Sequence, residues 1–270
     1  MAKKRYDLFF SVGEACSCTQ SLRDSKLQVF SYSFDWLFGA NFEGRMKIVL
    51  DEFKRFIDKN DLEFSFYTPS IKCNAYHNTY NDITFNHDFL KSVEFDVMYA
   101  QVRAKYERRI KRLLSQIQTA KSLCIVYIET PARPDKLANN DILKTQWIKI
   151  KEKYPDKTID FLYFTNDKNF KRGDFKEGNI TNSITKITGN YKLNDELGGG
   201  GLDYLVIPEF FTQYFKKYSL NLSFMDRLKQ RLYGLNLKRK IKRLPIQILV
   251  NLVPKKSLRK KLRQKFLHKI

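Results

Sequence analysis

Apolar runs and amphipathic stretches alternate along most of this chain. Short apolar runs at Tyr6–Val12, Leu123–Ile128 and Thr158–Phe164 predict buried strands. Residues 138–153, between the last two runs, have the spacing of a helix. The order strand, helix, strand indicates a βαβ unit and a mainly parallel sheet with flanking helices. We therefore predict an α/β fold, with Leu202–Ile207 as a last strand.

Further elements follow from the same patterns. Apolar residues at helical spacing predict four more helices, at Thr19–Lys26, Gly44–Lys59, Asp96–Thr119 and Pro208–Tyr218. Rough alternation predicts a strand at Val29–Trp36. The aromatic and Asn-rich stretch Phe64–Phe89 predicts a small insertion of short strands and turns.

The C-terminal stretch differs from the rest of the chain in charge. Residues 227–270 contain 16 Lys or Arg and no Asp or Glu, and so account for all but 5 of the formal net charge of +21. We predict an α/β domain at residues 1–225 and a basic amphipathic tail at 226–270. Leu258, Leu262 and Phe266 recur at i, i+4 and i+8 among basic residues, which predicts a helix that lies on an anionic membrane surface. The apolar run Ile246–Val253 is too short to span a bilayer.

The predicted membrane-binding residues are the basic side chains of this tail. They are Lys238, Arg239, Lys240, Lys242, Arg243, Lys255, Lys256, Arg259, Lys260, Lys261, Arg263 and Lys265. A disordered solubilising tail and a nucleic-acid-binding tail are the alternatives. Nucleic-acid binding is less favoured, because the tail offers only Tyr233 and Phe266 for base stacking.

Four cysteines in 270 residues do not form a disulfide scaffold, so we expect a cytoplasmic protein at the inner face of the cell membrane.

Cys16 is the first candidate for chemistry. It follows the first predicted strand in the turn Ser11–Cys16, close to a helix start. Backbone N–H groups and the helix dipole at such a position favour a thiolate and can stabilise an oxyanion. The alternative is a buried cysteine that packs as a small apolar residue. A zinc site is not expected, because Cys16 and Cys18 have no second Cys/His pair at suitable spacing, and no cofactor is expected.

A cysteine nucleophile needs a base, and the chain has three histidines. His268 lies among the basic residues of the tail, where a base is poorly placed. His87 is flanked by aromatic residues and His77 by polar ones, and a hydrogen-bonded structural role is the alternative for both. Asp35 lies between two aromatic residues and so needs a partner in the folded chain. It could orient His87 or pair with an arginine such as Arg23.

Five motifs in this order resemble a bacterial family of unknown function that is catalogued as putative papain-like cysteine peptidases. They are Ser-Val-Gly-Glu-Ala-Cys (11–16), Leu-Arg (22–23), Ser-Tyr-Ser-Phe-Asp-Trp-Leu (31–37), Phe-Asn-His-Asp-Phe (85–89) and Lys-Tyr-Glu-Arg-Arg-Ile-Lys-Arg (105–112). The resemblance covers roughly residues 5–170. It implies Cys16 as nucleophile, His87 as base and Asp35 or Asp88 as orienting acid. Papain-like folds are α+β, which differs from the α/β pattern of this chain. Asp88 also adjoins His87, and neighbours on a strand point to opposite faces.

The tail is similar to the C-termini of bacterial enzymes that build surface polysaccharides, over Leu252–Leu262. Our leading hypothesis is a cysteine-dependent hydrolase or acyltransferase of surface-glycan assembly, with a lipid-linked glycan or a nucleotide sugar as candidate ligand. The first alternative is a sugar-transferring enzyme that binds a nucleotide diphosphate at a helix N-terminus, although no Asp-x-Asp motif is present. The second is a non-enzymatic nucleic-acid-binding or scaffold protein.

Overall fold

A computed structural model describes residues 3–128, 140–165, 184–188, 208–223 and 226–227 of the chain. The strands in this part are β1 (Lys4–Tyr6), β2 (Leu8–Ser11), β3 (Leu37–Gly39), β4 (Leu62–Thr68), β5 (Cys73–Asn78), β6 (Ile83–Leu90), β7 (Ser122–Ile128), β8 (Thr158–Thr165), β9 (Ile184–Thr188) and β10 (Tyr218–Leu220). The helices are α1 (Ala15–Asp24), α2 (Phe42–Leu50), α3 (Phe95–Thr119), α4 (Asn140–Lys153) and α5 (Pro208–Phe215). All of them lie in one compact unit, Met1–Asn221.

A four-stranded parallel sheet forms the centre of this unit. Its strand order is β2-β7-β8-β9, and every neighbouring pair is parallel. The helix α4 connects the parallel strands β7 and β8, which confirms the βαβ unit and the α/β fold predicted from the sequence. The short strands β1 and β10 pair in parallel beside it.

Helices cover both faces of the parallel sheet. Because successive side chains of a strand point to opposite faces, Leu8 and Phe10 of β2 enter one apolar core and Phe9 enters another. The first core also contains residues of α2, α3 and α4, and the second contains residues of α1 and α5. The strand β7 is apolar from Leu123 to Ile128, and this part is buried between the two layers.

The predicted strand-rich insertion is a second, antiparallel sheet. Its strand order is β3-β6-β5-β4. The strands β4, β5 and β6 fall within Phe64–Phe89 to within two residues at each end. The helix α3 follows this sheet, and Phe85 of β6 packs on Tyr106 of α3, with ring centroids 5.0 Å apart.

Two predicted elements were wrong. Val29–Trp36 forms a loop and turns instead of a strand. The Asp35 carboxylate accepts hydrogen bonds from the Arg23 side chain and the Tyr32 backbone, and Trp36 has a left-handed φ of 71°. The helix predicted to reach Lys59 ends at Leu50, since the chain turns through positive φ angles at Glu52, Phe53 and Arg55.

Other predictions fall outside the described residues. They are the strand Leu202–Ile207 and the basic tail beyond Arg227. The division of the chain at residue 226 therefore stays a prediction. The strands β3, β9 and β10 were not anticipated from the sequence. No helix in the described part of the chain is both long enough and apolar enough to cross a membrane.

Candidate active site

Cys16 lies in the first turn of α1, at the carboxyl edge of the parallel sheet. The strand β2 ends at Ser11, and the turn at residues 12–14 leads directly into α1. This edge is where ligands bind in open parallel sheets. The helix begins four residues earlier than predicted, which places Cys16 within it.

Cys16 is the most accessible of the four cysteines, since the other three are buried. The thiol of Cys18 donates to the carbonyl oxygen of Val126 at 3.4 Å, and burial raises its pKa to about 12. Burial also raises the pKa of Cys73 and of Cys124. These three thiols therefore serve as packing residues, and Cys16 is the candidate for reaction with a substrate.

Two effects act on the Cys16 thiol in opposite directions. Burial raises its pKa, a hydrogen bond with the backbone lowers it, and burial has the larger effect. The pKa of Cys16 therefore lies above that of an ordinary thiol, which is opposite to the direction expected from a helix N-terminus alone. The N-cap residue Glu14 accepts no hydrogen bond from the first turn with its side chain. It therefore does not compete with an oxyanion for the N–H groups of that turn.

A buried arginine of α2 holds the turn before Cys16. The side chain of Arg45 is fully buried, and its Nη1 donates to the carbonyl oxygen of Gly13 at 2.7 Å. Its other nitrogens donate over 2.8–3.2 Å to the carbonyl oxygens of Leu37, Gly39 and Ala40. Burial lowers the pKa of Arg45, and the Glu14 carboxylate opposes this effect. Arg45 thus joins the turn before the nucleophile to β3 and the residue that follows it.

Gly13 allows α1 to pack closely against the sheet. A Cβ atom at this position would lie 2.5 Å from Cys18 Cβ and 3.1 Å from the backbone nitrogen of Ile128. Both distances are shorter than a carbon atom can adopt without displacing its neighbours. A glycine is therefore required here to keep Cys16 in position.

Asp35 anchors the loop that follows α1. Its buried carboxylate accepts hydrogen bonds from Thr19 Oγ1 at 2.9 Å, Arg23 Nη2 at 2.8 Å, Gln28 Nε2 at 3.1 Å and the backbone N–H of Tyr32 at 3.1 Å. Burial raises the pKa of Asp35, while the Arg23 guanidinium acts against it. Of the two roles predicted for Asp35, the pairing with Arg23 is confirmed. No hydrogen bond joins Asp35 to His87, although both lie in the described part of the chain.

His87 lies in a bulge of β6. The pairing with β5 passes from Asn74 opposite Phe89 to Tyr76 opposite Phe85, so residues 86–88 face the single residue 75. Such bulges re-aim side chains and are common next to active sites. As a result His87 is exposed, and its ring packs edge-on to Trp36 with centroids 6.2 Å apart.

The surroundings of His87 favour its neutral form. Burial of part of the ring lowers its pKa, the Lys105 ammonium lowers it further, and the Asp88 carboxylate opposes both. Asp88 itself is held by α3, because it accepts a hydrogen bond from Tyr106 Oη at 2.7 Å and pairs with Lys105. Its carboxylate makes no hydrogen bond with His87 among the described residues, so the structure does not show it in an orienting role.

The loop of Asp35 and Trp36 connects α1, the helix that carries Cys16, with His87. Thr19 and Arg23 lie at i+3 and i+7 from Cys16, on one side of α1, and both bind Asp35. The next residue in the chain, Trp36, contacts His87, and the strand that follows pairs with β6. No hydrogen bond joins Cys16 to His87 within the described residues. The arrangement supplies a thiol, backbone donors and a neutral imidazole around one loop.

Two residues of this region were missed from the sequence. Trp36 adopts a left-handed backbone conformation that is rare for a bulky residue, and such strain clusters at functional sites. Arg45 was not considered, although a single arginine within the apolar spacing of Phe42, Met46 and Val49 was an available signal.

The remaining histidines have other roles or lie elsewhere. His77 Nδ1 is 3.0 Å from Thr84 Oγ1 on the neighbouring strand, which is a structural hydrogen bond. His268 lies outside the described residues. Among the residues that the structure describes, no three His, Cys, Asp or Glu side chains are grouped to hold a metal ion.

Comparison with known proteins identifies a family. No curated protein and no solved structure matches the chain. One family model matches residues 7–166, which is more than half of the chain and includes Cys16, Asp35, His87 and Asp88. The chain therefore belongs to the family described as "Putative papain-like cysteine peptidase (DUF1796)".

Proposed function

We propose that this protein is a cysteine-dependent hydrolase or acyltransferase, with Cys16 as nucleophile and His87 as general base. The observation that supports the proposal is that the loop of Asp35 and Trp36 is bound by the helix that carries Cys16 and also contacts His87. The most accessible thiol of the chain lies at the N-terminus of α1, and the exposed imidazole lies in a bulge of β6. Asp35 fixes the loop between them through Thr19 and Arg23.

The pKa shifts favour a neutral pair over an ion pair. The pKa of Cys16 is raised and that of His87 is lowered. At pH 7 the resting site therefore holds a thiol and a neutral imidazole. A neutral imidazole can accept the thiol proton during attack, which is general base catalysis.

The chemical steps follow from these protonation states. The Cys16 sulfur forms a bond with the acyl carbon while its proton passes to His87. The N–H groups of the first turn of α1 stabilise the oxyanion. The bond to the leaving group then breaks, and His87 returns the proton to that group. Water or a second acceptor attacks the thioester with His87 again as base, which restores the Cys16 thiol and releases the acyl product.

An activated ester tests this proposal without knowledge of the natural substrate. The protein is incubated with p-nitrophenyl acetate, and acetylation is located by mass spectrometry of its peptides. We expect a thioester on Cys16 and continued release of p-nitrophenol as the thioester turns over. The substitution Cys16→Ser is expected to remove both signals, whereas Cys73→Ser, which changes a buried thiol, is the matched control.

Release of p-nitrophenol that persists in Cys16→Ser, with no acyl group on any cysteine, would contradict the cysteine mechanism. Binding of a nucleotide sugar that survives Cys16→Ala would then favour the sugar-transferring alternative. The two measurements together separate a covalent acyl mechanism from transfer of a sugar.

We further propose that the protein works in surface-glycan assembly at the inner face of the membrane, held there by its basic tail. Support comes from the sequence of residues 227–270, which combines 16 basic residues with interleaved apolar ones. Each basic residue near an anionic surface contributes about 1 kcal/mol, so binding must weaken as salt rises. We expect the full chain to sediment with vesicles that contain phosphatidylserine and to remain in solution with neutral vesicles. Equal sedimentation with both kinds of vesicle would contradict this role of the tail.

A further inference from the structure

A row of cations on α3 lies beside the candidate active site. Lys105, Arg109 and Arg112 follow each other at i, i+4 and i+7, so they lie along one side of the helix. All three are partly buried, while Arg103 and Lys111 on other sides of the helix are exposed. We call these three residues the α3 cation row.

Contacts at the two ends of the α3 cation row place it around the loop of Asp35 and Trp36. At one end, Lys105 pairs with Asp88, the residue after His87. At the other end, Arg112 donates to the carbonyl oxygen of Ser31 at 3.2 Å. The hydroxyl of Ser31 accepts a hydrogen bond from Arg23 of α1 at 2.8 Å. The row therefore runs from the candidate base to the helix that carries Cys16.

Arg109 is the member of the row with unused donors. Its guanidinium lies over the ring of Tyr106, with 5.5 Å from Cζ to the centroid. Within the described residues it makes no hydrogen bond and no ion pair. A partly buried guanidinium between two other cations attracts an anion, and its fork of N–H donors matches a carboxylate or a phosphate.

We propose that the α3 cation row binds an anionic group, carboxylate or phosphate, on the substrate of Cys16. This inference rests on the proposed function, because it takes the neighbouring thiol and imidazole as the reacting groups. An anionic group on Arg109 leaves the rest of the substrate to extend along the loop toward Cys16. The substrate class is then an acyl compound that carries a negative charge away from the acyl carbon.

Two alkylating reagents of similar size test the inference. Iodoacetate is an anion and iodoacetamide is neutral, and the rate of Cys16 modification by each is measured by mass spectrometry at about 10 mM ionic strength, where the Debye length is about 30 Å. The double variant Arg109→Gln/Arg112→Gln is compared with Arg103→Gln/Lys111→Gln, which removes the same charge from other sides of α3. We expect the ratio of the two rates to fall severalfold in the first variant and clearly less in the second, because the Coulomb energy between a cation and the reagent at Cys16 falls with their separation.

A second readout does not involve Cys16. Pyrophosphate and succinate are added separately to the full chain, and the rise in melting temperature is measured for both double variants and for the single variant Arg109→Gln, which removes no hydrogen bond among the residues that the structure describes. A smaller rise for Arg109→Gln than for Arg103→Gln/Lys111→Gln supports the anion site, and the more effective anion identifies phosphate or carboxylate as its ligand. Equal rises in all variants, together with an unchanged rate ratio, would overturn the inference. If Cys16 reacts with neither reagent while the rise still depends on Arg109, the proposed function fails and the anion site stands.

Discussion

Replacing Arg45 by methionine is expected to lower the free energy of unfolding by about 3–5 kcal/mol. The substitution keeps a long apolar side chain but removes every hydrogen bond that the guanidinium donates. Four backbone carbonyls in the region then lose a buried donor, those of Gly13, Leu37, Gly39 and Ala40. A buried acceptor that loses its partner costs about 1–3 kcal/mol. The loss of these hydrogen bonds therefore outweighs the gain from no longer burying a charge.

Urea unfolding measures this effect. We expect a lower midpoint at an unchanged slope, because the surface exposed on unfolding stays the same. The matched control is Arg103→Met, which removes an exposed pair with Glu107 and should change the stability far less, because exposed ion pairs are screened by solvent. An Arg45→Met variant as stable as Arg103→Met would show that the buried guanidinium does not hold the turn before Cys16.

The parallel sheet and its flanking helices could be predicted, because the pattern of apolar residues in each element is local in the sequence. The strand β7 is apolar from Leu123 to Ile128, β8 is apolar apart from Asp160 and its terminal threonines, and α4 between them has helical spacing. Each of these elements can therefore be recognised from its own stretch of sequence. The parallel pairing follows from their order along the chain. The same holds for α3, whose predicted and observed bounds differ by one residue at its start.

The loop at residues 28–36 could not be predicted, because its conformation depends on distant partners. Alternating aromatic residues resemble a strand, yet Asp35 binds Thr19 and Arg23 of α1, and Arg112 of α3 holds the carbonyl oxygen of Ser31. These contacts bridge up to 81 residues of sequence. Side-chain hydrogen bonds with the backbone compete with strand formation, and here they prevail.

The sequence predicted which residues are candidates for the site, Cys16 and His87, but not the protonation state of their side chains. A cysteine after a strand and a histidine among aromatic residues are visible in the sequence. The burial of Cys16, which outweighs the helix N-terminus and raises the thiol pKa, depends on packing that only the fold supplies. The bulge that exposes His87 depends in the same way on the pairing of β6 with β5.

The substitution His87→Ala is expected to slow acylation of Cys16 by p-nitrophenyl acetate about 10²–10⁴-fold at pH 7, the usual contribution of a general base. The reason is the raised pKa of Cys16, since a thiol that stays protonated at pH 7 needs a base during attack. The matched control is His77→Ala, because His77 lies on the neighbouring strand β5 with its ring against Thr84. That variant should keep the rate of the unmodified protein.

The pH dependence of the same reaction distinguishes a base from a structural histidine. His87 acts in its neutral form, and its pKa is lowered from the ordinary value of about 6.5. The rate should therefore be at its plateau at pH 7 and fall only below pH 6.5, as His87 gains a proton. In His87→Ala this acidic limb should disappear, and the rate should instead rise with pH through the raised pKa of Cys16. An acidic limb that persists in His87→Ala would assign the base to another group, and an unchanged rate would remove His87 from the mechanism while leaving Cys16 as a nucleophile that ionises by itself.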